Sequence, residues 1–97
     1  MKHLQLSTHD GHATLTFDRE GSSANIFDFE TLNELIDALT QIENDASITS
    51  LQIRSNKPSI FIAGADIHQL IEATPGELAA MIDLGHEAFQ QLEDLKI

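Results

Sequence analysis

The chain contains no cysteine. Disulfides and thiolate-bound metals are therefore excluded, and a reducing compartment is permitted. Positive charge is scarce as well: five lysines and arginines stand against sixteen aspartates and glutamates, a formal net charge of −11. Nucleic acid or an anionic membrane surface is thus a poor match as the main partner, and a solvated acidic surface is expected. No apolar run approaches the length of about 18 residues that a membrane span needs. Met1-Lys2-His3-Leu4 lacks the apolar stretch and small-residue cleavage site of a secretory signal, so a cytoplasmic protein is expected. With 97 residues the chain is one domain or part of one. A domain of this size buries only about 60 to 68% of its unfolded surface, so its stability margin is thin.

The apolar residues that are present fall into periodic segments. Leu4-Gln5-Leu6 and Ala13-Thr14-Leu15-Thr16-Phe17 alternate apolar with polar on either side of Asp10-Gly11, which predicts an antiparallel hairpin closed by a type I′ turn. Residues 18–25 are polar and small and read as a loop that can lie over a ligand. Leu32, Leu35, Ile36, Leu39 and Ile42 recur at helical spacing. Thr31-Leu32-Asn33-Glu34 fits a capping box at the start of that helix, with Asp28 as a rival cap. Ser50 to Arg54 alternates again, and Ile60-Phe61-Ile62 is a continuous apolar run suited to a strand buried on both faces. Strand, helix, strand in that order suggests a right-handed crossover.

A short helical turn is expected after Asp66. Thr74-Pro75-Gly76-Glu77 then combines an N-cap, a proline at the first helical position and a glutamate three residues after the cap. The helix it opens is predicted to place Leu78, Met81, Ile82, Gly85, Phe89 and Leu92 on one face and to reach the neighbourhood of Leu95. Gly85 within it is explained either by close packing against another backbone or by simple helical tolerance. The fold class is α/β.

Chemistry concentrates in Ser59-Ile60-Phe61-Ile62-Ala63-Gly64-Ala65-Asp66, where an apolar strand passes through a turn of small residues into a helix start. Backbone N–H groups at such a junction are free to face a ligand oxyanion. The string Phe61 to Ile67, preceded by Lys57-Pro58, resembles the central motif of the crotonase (enoyl-CoA hydratase/isomerase) superfamily. It is most similar to that of the multifunctional fatty-acid β-oxidation α-subunits. The resemblance extends to the opening hairpin, the Gly21-Ser22-Ser23-Ala24-Asn25 loop, the helix after it and the Ser55-Asn56-Lys57-Pro58 approach.

The resemblance implies that residues 1–97 are the N-terminal part of a crotonase-type spiral of ββα units, stopping before the second half of the active site. It implies an enzyme acting on 2-enoyl-CoA thioesters, by hydration or isomerisation, with the Ala65 N–H as one of two oxyanion donors. Ala63, Gly64 and Asp66 would border the acyl channel, and Ser23 and Ala24 would offer backbone contacts to the pantetheine side of CoA. Asn25 would brace that loop. Lys57 is a weaker candidate for a CoA phosphate. The second donor and two catalytic glutamates of the family lie beyond these residues, so the chain alone is expected to be inactive. No cofactor is implied within it. A dehydrogenase half binding NAD, a homo-oligomer and a thiolase β-subunit partner are implied for a longer parent.

Each candidate has a plainer reading. Asp66 serves as a helix N-cap, the 21–25 loop as a polar connector, and Lys57 as a solvated turn lysine. His9 and His12 flank a tight turn with no third ligand in view, so they decorate a hairpin and no metal is expected. The acidic balance would repel CoA phosphates unless basic residues cluster on their path, and only Arg19 lies near the loop. A different class of function also fits: a non-catalytic acidic module that binds a ligand or another protein.

Overall fold

The computed structural model describes residues 1–22, 24–58, 62 and 71–97. Two strands, β1 (Leu4–His9) and β2 (His12–Phe17), form the opening hairpin. Asp10 and Gly11 sit at φ 49° and 81°, the doubly positive geometry that a type I′ turn demands. Gly11 is required twice over, by its positive φ and because a Cβ there would come within 2.8 Å of the Ser47 carbonyl oxygen; its own carbonyl accepts the Thr49 N–H at 2.7 Å.

Helix α1 (Phe29–Glu43) carries the chain to β3 (Ser50–Ser55), which pairs parallel with β2 from His12 opposite Ser50 to Phe17 opposite Ser55. The sheet order is β1-β2-β3. The strand expected at Ile60–Ile62 falls outside the described residues, Ile62 excepted, and of the short helical turn expected after Asp66 only residues 71–72 are described, both helical. Ile62 is half-buried against the core.

Two sequence expectations are corrected. Helix α1 begins at Phe29 with Asp28 as its N-cap, whose carboxylate accepts the Thr31 N–H at 2.8 Å. Glu34 is thereby released from capping, and its Oε1 accepts the N–H groups of Lys2, His3 and Leu4 at 2.5, 2.8 and 3.3 Å. The local sequence satisfies a capping box, but a tertiary partner takes the carboxylate.

The second correction concerns the last helix, α2 (Pro75–Glu93). It starts as expected, with the Thr74 hydroxyl accepting the Glu77 N–H at 3.1 Å, and is capped by Asp94. Its buried residues, however, are Met81 and Ala88, with Leu84 and Leu92 half-buried beside them. Leu78, Ile82 and Phe89 stay exposed. Among the described elements α2 packs against one helix, α1, and its apolar arc is wider than that helix covers.

The core is continuous from sheet to helices. Leu4, Ala13, Leu15 and Phe17 from the sheet pack with Leu32, Leu35, Ala38, Leu39 and Ile42 of α1, and Met81 and Ala88 of α2 join them. Burial of this alternating strand face and helical stripe is the main stabilising contribution, worth about 1.5 to 3 kcal/mol per large side chain.

Candidate functional site

Strands β2 and β3 are parallel neighbours, so their carboxyl ends, Phe17 and Ser55, lie side by side. In open α/β sheets, ligands bind outside such strand ends. Two segments leave this edge together. One is the loop from Asp18 to Asn25; the other is Asn56-Lys57-Pro58, which leads into residues 59–66.

The two are tied by side chains. The Lys57 ammonium donates to the carbonyl oxygens of Arg19 and Ser22, each at 2.7 Å, and meets Asp18 Oδ1 at 2.9 Å. Asn56 donates to the other Asp18 oxygen at 3.2 Å. These two donors, Lys57 first, hold the Asp18 carboxyl below the usual carboxylate range.

Asn25 braces the loop from its far end. Fully buried, it accepts the Arg19 N–H at 2.9 Å through Oδ1 and donates through Nδ2 to the Phe17 carbonyl at 3.2 Å and the Ser55 hydroxyl at 2.9 Å. Arg19 turns its guanidinium to Asp28 at 2.7 Å, joining the loop to the α1 cap. Burial alone would raise the Asp28 carboxyl, yet the Thr31 N–H and the Arg19 charge outweigh it and leave the group lowered. The Ala24 N–H is turned to the Ser22 hydroxyl at 3.3 Å.

Of the residues read from the sequence, Ser23, Ala63, Gly64, Ala65 and Asp66 lie outside the described residues. Ala24 lies in the loop just described. Lys57 is not the solvated turn lysine of the plainer reading: its side chain is only 9% exposed and its three donors have three internal acceptors. Arg19 is likewise engaged internally. Asp18 carries no local signal of this role, because its partners are 38 and 39 residues away.

A second cluster also escaped notice. His3, Glu30 and Glu34 bring one imidazole and two carboxylates within 4.8 Å of one another. Their hydrogen bonds decide what the cluster does. His3 Nδ1 accepts the Glu20 N–H at 3.1 Å, so the neutral ring carries its proton on Nε2, which faces Glu30 Oε2 at 3.1 Å. A metal would need the lone pair of that same Nε2 and would have to break the Glu20 bond. The cluster is a brace for the N-terminal segment, and its signal in the sequence was a glutamate at position 34 on the inner face of α1. His9 pairs with Asp10 at 3.2 Å and His12 with the Ser50 hydroxyl, both on the exposed hairpin.

Residues 7–97 match the family model for enoyl-CoA hydratase/isomerase. The chain is 39% identical over 89 residues to the fatty acid oxidation complex subunit alpha of Shewanella oneidensis, covering 91% of this chain and 13% of that protein. The Shewanella baltica subunit of the same name is 38% identical over the same span. Among solved structures, an enoyl-CoA hydratase from Geobacillus kaustophilus superposes with a TM-score of 0.86 at 27% identity, over 91% of this chain and 33% of that one. Bacillus anthracis enoyl-CoA hydratase gives a TM-score of 0.88 at 20% identity, over 97% and 36%, and speaks to the fold alone.

Proposed function

Because the chain belongs to the enoyl-CoA hydratase/isomerase family, we propose that residues 1–97 form the opening half of a site for 2-enoyl-CoA thioesters. The observation that carries the reading is the convergence of the 18–25 loop and the 56–58 approach at the carboxyl ends of two parallel strands. That is where the Ala63-Gly64-Ala65-Asp66 turn follows in sequence.

In this reading the Ala65 N–H donates to the thioester carbonyl oxygen. It stabilises the enolate-like oxyanion formed when water adds to the double bond or a proton leaves beside the carbonyl. Ala63 and Gly64 keep the acyl path clear, Asp66 caps the following helix, and Ser23 with Ala24 borders pantetheine. One donor is half an oxyanion hole. Loss of a single donor elsewhere costs about 2.7 to 4 kcal/mol of barrier, and general acid–base catalysis contributes about a further 10²- to 10⁴-fold. In this reading the second donor and the acid/base pair come from other parts of a longer protein, and no cofactor is asked for within residues 1–97.

The same proposal assigns the parent activity to fatty-acid β-oxidation, a reading supported by the likeness to the Shewanella α-subunits, and assigns the parent protein to the cytoplasm. A dehydrogenase half with NAD, self-assembly and a thiolase partner belong to the same proposal for a longer protein. The full activity would then draw on the part of such a subunit that this chain does not span, since the chain covers 13% of the Shewanella protein.

A second reading, the acidic non-catalytic module, is favoured by one observation: the loop's two cations, Arg19 and Lys57, are engaged internally. Titrating the purified chain with crotonyl-CoA and assaying its hydration separates the two. Binding without turnover is expected. Turnover would contradict the half-site, and absence of binding would leave the module reading in its place.

A further inference from the structure

We infer that Lys57 is a positioning residue: it holds the 18–25 loop against the approach to the 59–66 turn and does not bind phosphate. The inference rests on the proposed reading of that loop as a ligand wall. An ammonium has three protons and no other hydrogen-bonding capacity. Here the carbonyls of Arg19 and Ser22 and the carboxylate of Asp18 converge on it, at 2.7, 2.7 and 2.9 Å. Nothing remains for a phosphate unless the loop opens.

Removing the cation would leave two carbonyl dipoles and a carboxylate facing one another, half-buried, without a donor. Charged hydrogen bonds of this kind are the strong ones, and stranding their acceptors is costly. The loop would relax outward. Gly21, at φ 71° and with none of the described residues within 4 Å of the position a Cβ would take, supplies the bend that brings the Arg19 and Ser22 carbonyls to one point.

The position of Lys57 in the chain gives the clamp its consequence. It stands two residues after β3 and two before Ser59. One side chain therefore ties residues 18–22 to the stretch that leaves β3. The anchor on the other side is Arg19 on Asp28, the cap of α1. Recognition at this wall is then by shape and backbone groups, and it addresses the uncharged pantetheine arm rather than the nucleotide phosphates.

The test compares crotonyl-CoA with crotonyl-pantetheine, which lacks the phosphates, as ligands of the 97-residue chain and of K57M, with amide hydrogen exchange followed on both. K57M is expected to weaken both ligands by a common factor on the order of tenfold. Exchange should rise at residues 18–22 while the β1–β2 hairpin stays protected. K57R, which keeps the charge and can still donate to the two carbonyls, should recover part of both. Weakening confined to crotonyl-CoA would overturn the inference and make Lys57 a phosphate ligand. If K57M does not fold, D18N serves instead, with the same equal weakening expected and a CoA-only loss again contradicting it. If the unaltered chain binds neither ligand, the site reading fails with its ligand wall. The exchange data then judge the clamp by themselves, and unchanged exchange at 18–22 in K57M would overturn that too.

Discussion

Three backbone N–H groups converge on one oxygen of Glu34, those of Lys2, His3 and Leu4, and two of those residues are buried. Hydrogen bonds to a charged acceptor are each worth about 1.5 to 3 kcal/mol, so Glu34→Ala should cost at least that much in a urea unfolding measurement. A loss under about 0.5 kcal/mol, the scale of an ordinary surface substitution, would show the brace to be decorative. The carboxylates of Asp18, Asp28 and Glu30 are all held below their ordinary range, Asp18 by Lys57 and Glu30 chiefly by His3, with burial opposing. A group lowered in the folded state binds protons more readily when unfolded. Its stabilising contribution is complete above the unfolded pKa, near 4, and is lost as pH falls through the lower folded value. Thermal melts from pH 6 downward should therefore begin to lose stability below about pH 4.5, and D18N should soften that acid limb. Lys57, Asp18 and Glu34 share one reason for being illegible in the sequence. Each acts across 30 or more residues, where no spacing rule reaches.

Helix and hairpin boundaries were legible where local chemistry allowed only one answer. Asp10-Gly11 tolerates the doubly positive φ that other residues resist, and Thr74-Pro75-Gly76-Glu77 specifies a helix start on its own. At α1 two caps competed within four residues; the outcome was set by Arg19 and the N-terminal backbone, which the local pattern does not contain. The face of α2 was misjudged for a similar reason. Its period shows which residues are apolar but not which part of the arc α1 covers. None of the described residues lies within 4 Å of the position a Cβ would take at Gly85, which favours helical tolerance over close packing there. Gly85→Ala is accordingly expected to stabilise the chain by about 1 kcal/mol, a rise of about 4 to 8 °C in Tm. A drop in Tm would reveal a close neighbour at that position.

Taken as a whole, the molecule pairs a net charge of −11 with exposed apolar side chains along α2, Ile82 at 50% and Phe89 at 45%. Charge repulsion opposes association and is screened by salt, with a Debye length of about 10 Å at 0.1 M; the apolar stripe favours it. Sedimentation should show association that strengthens from low to high salt, and a monomer at every salt and protein concentration would contradict this. The described part of the 18–25 loop is the opposite kind of surface, where Asp18, Arg19 and Asn25 are tied down pair by pair. The central claim, half an acyl-CoA site with its wall clamped in place, is tested most directly by amide chemical shifts during a titration with crotonyl-CoA. The account predicts shifts concentrated at residues 22–25 and 63–66, with no loss of substrate during the experiment. Shifts confined to the acidic surface of α2, or hydration of the thioester by the 97 residues alone, would contradict it.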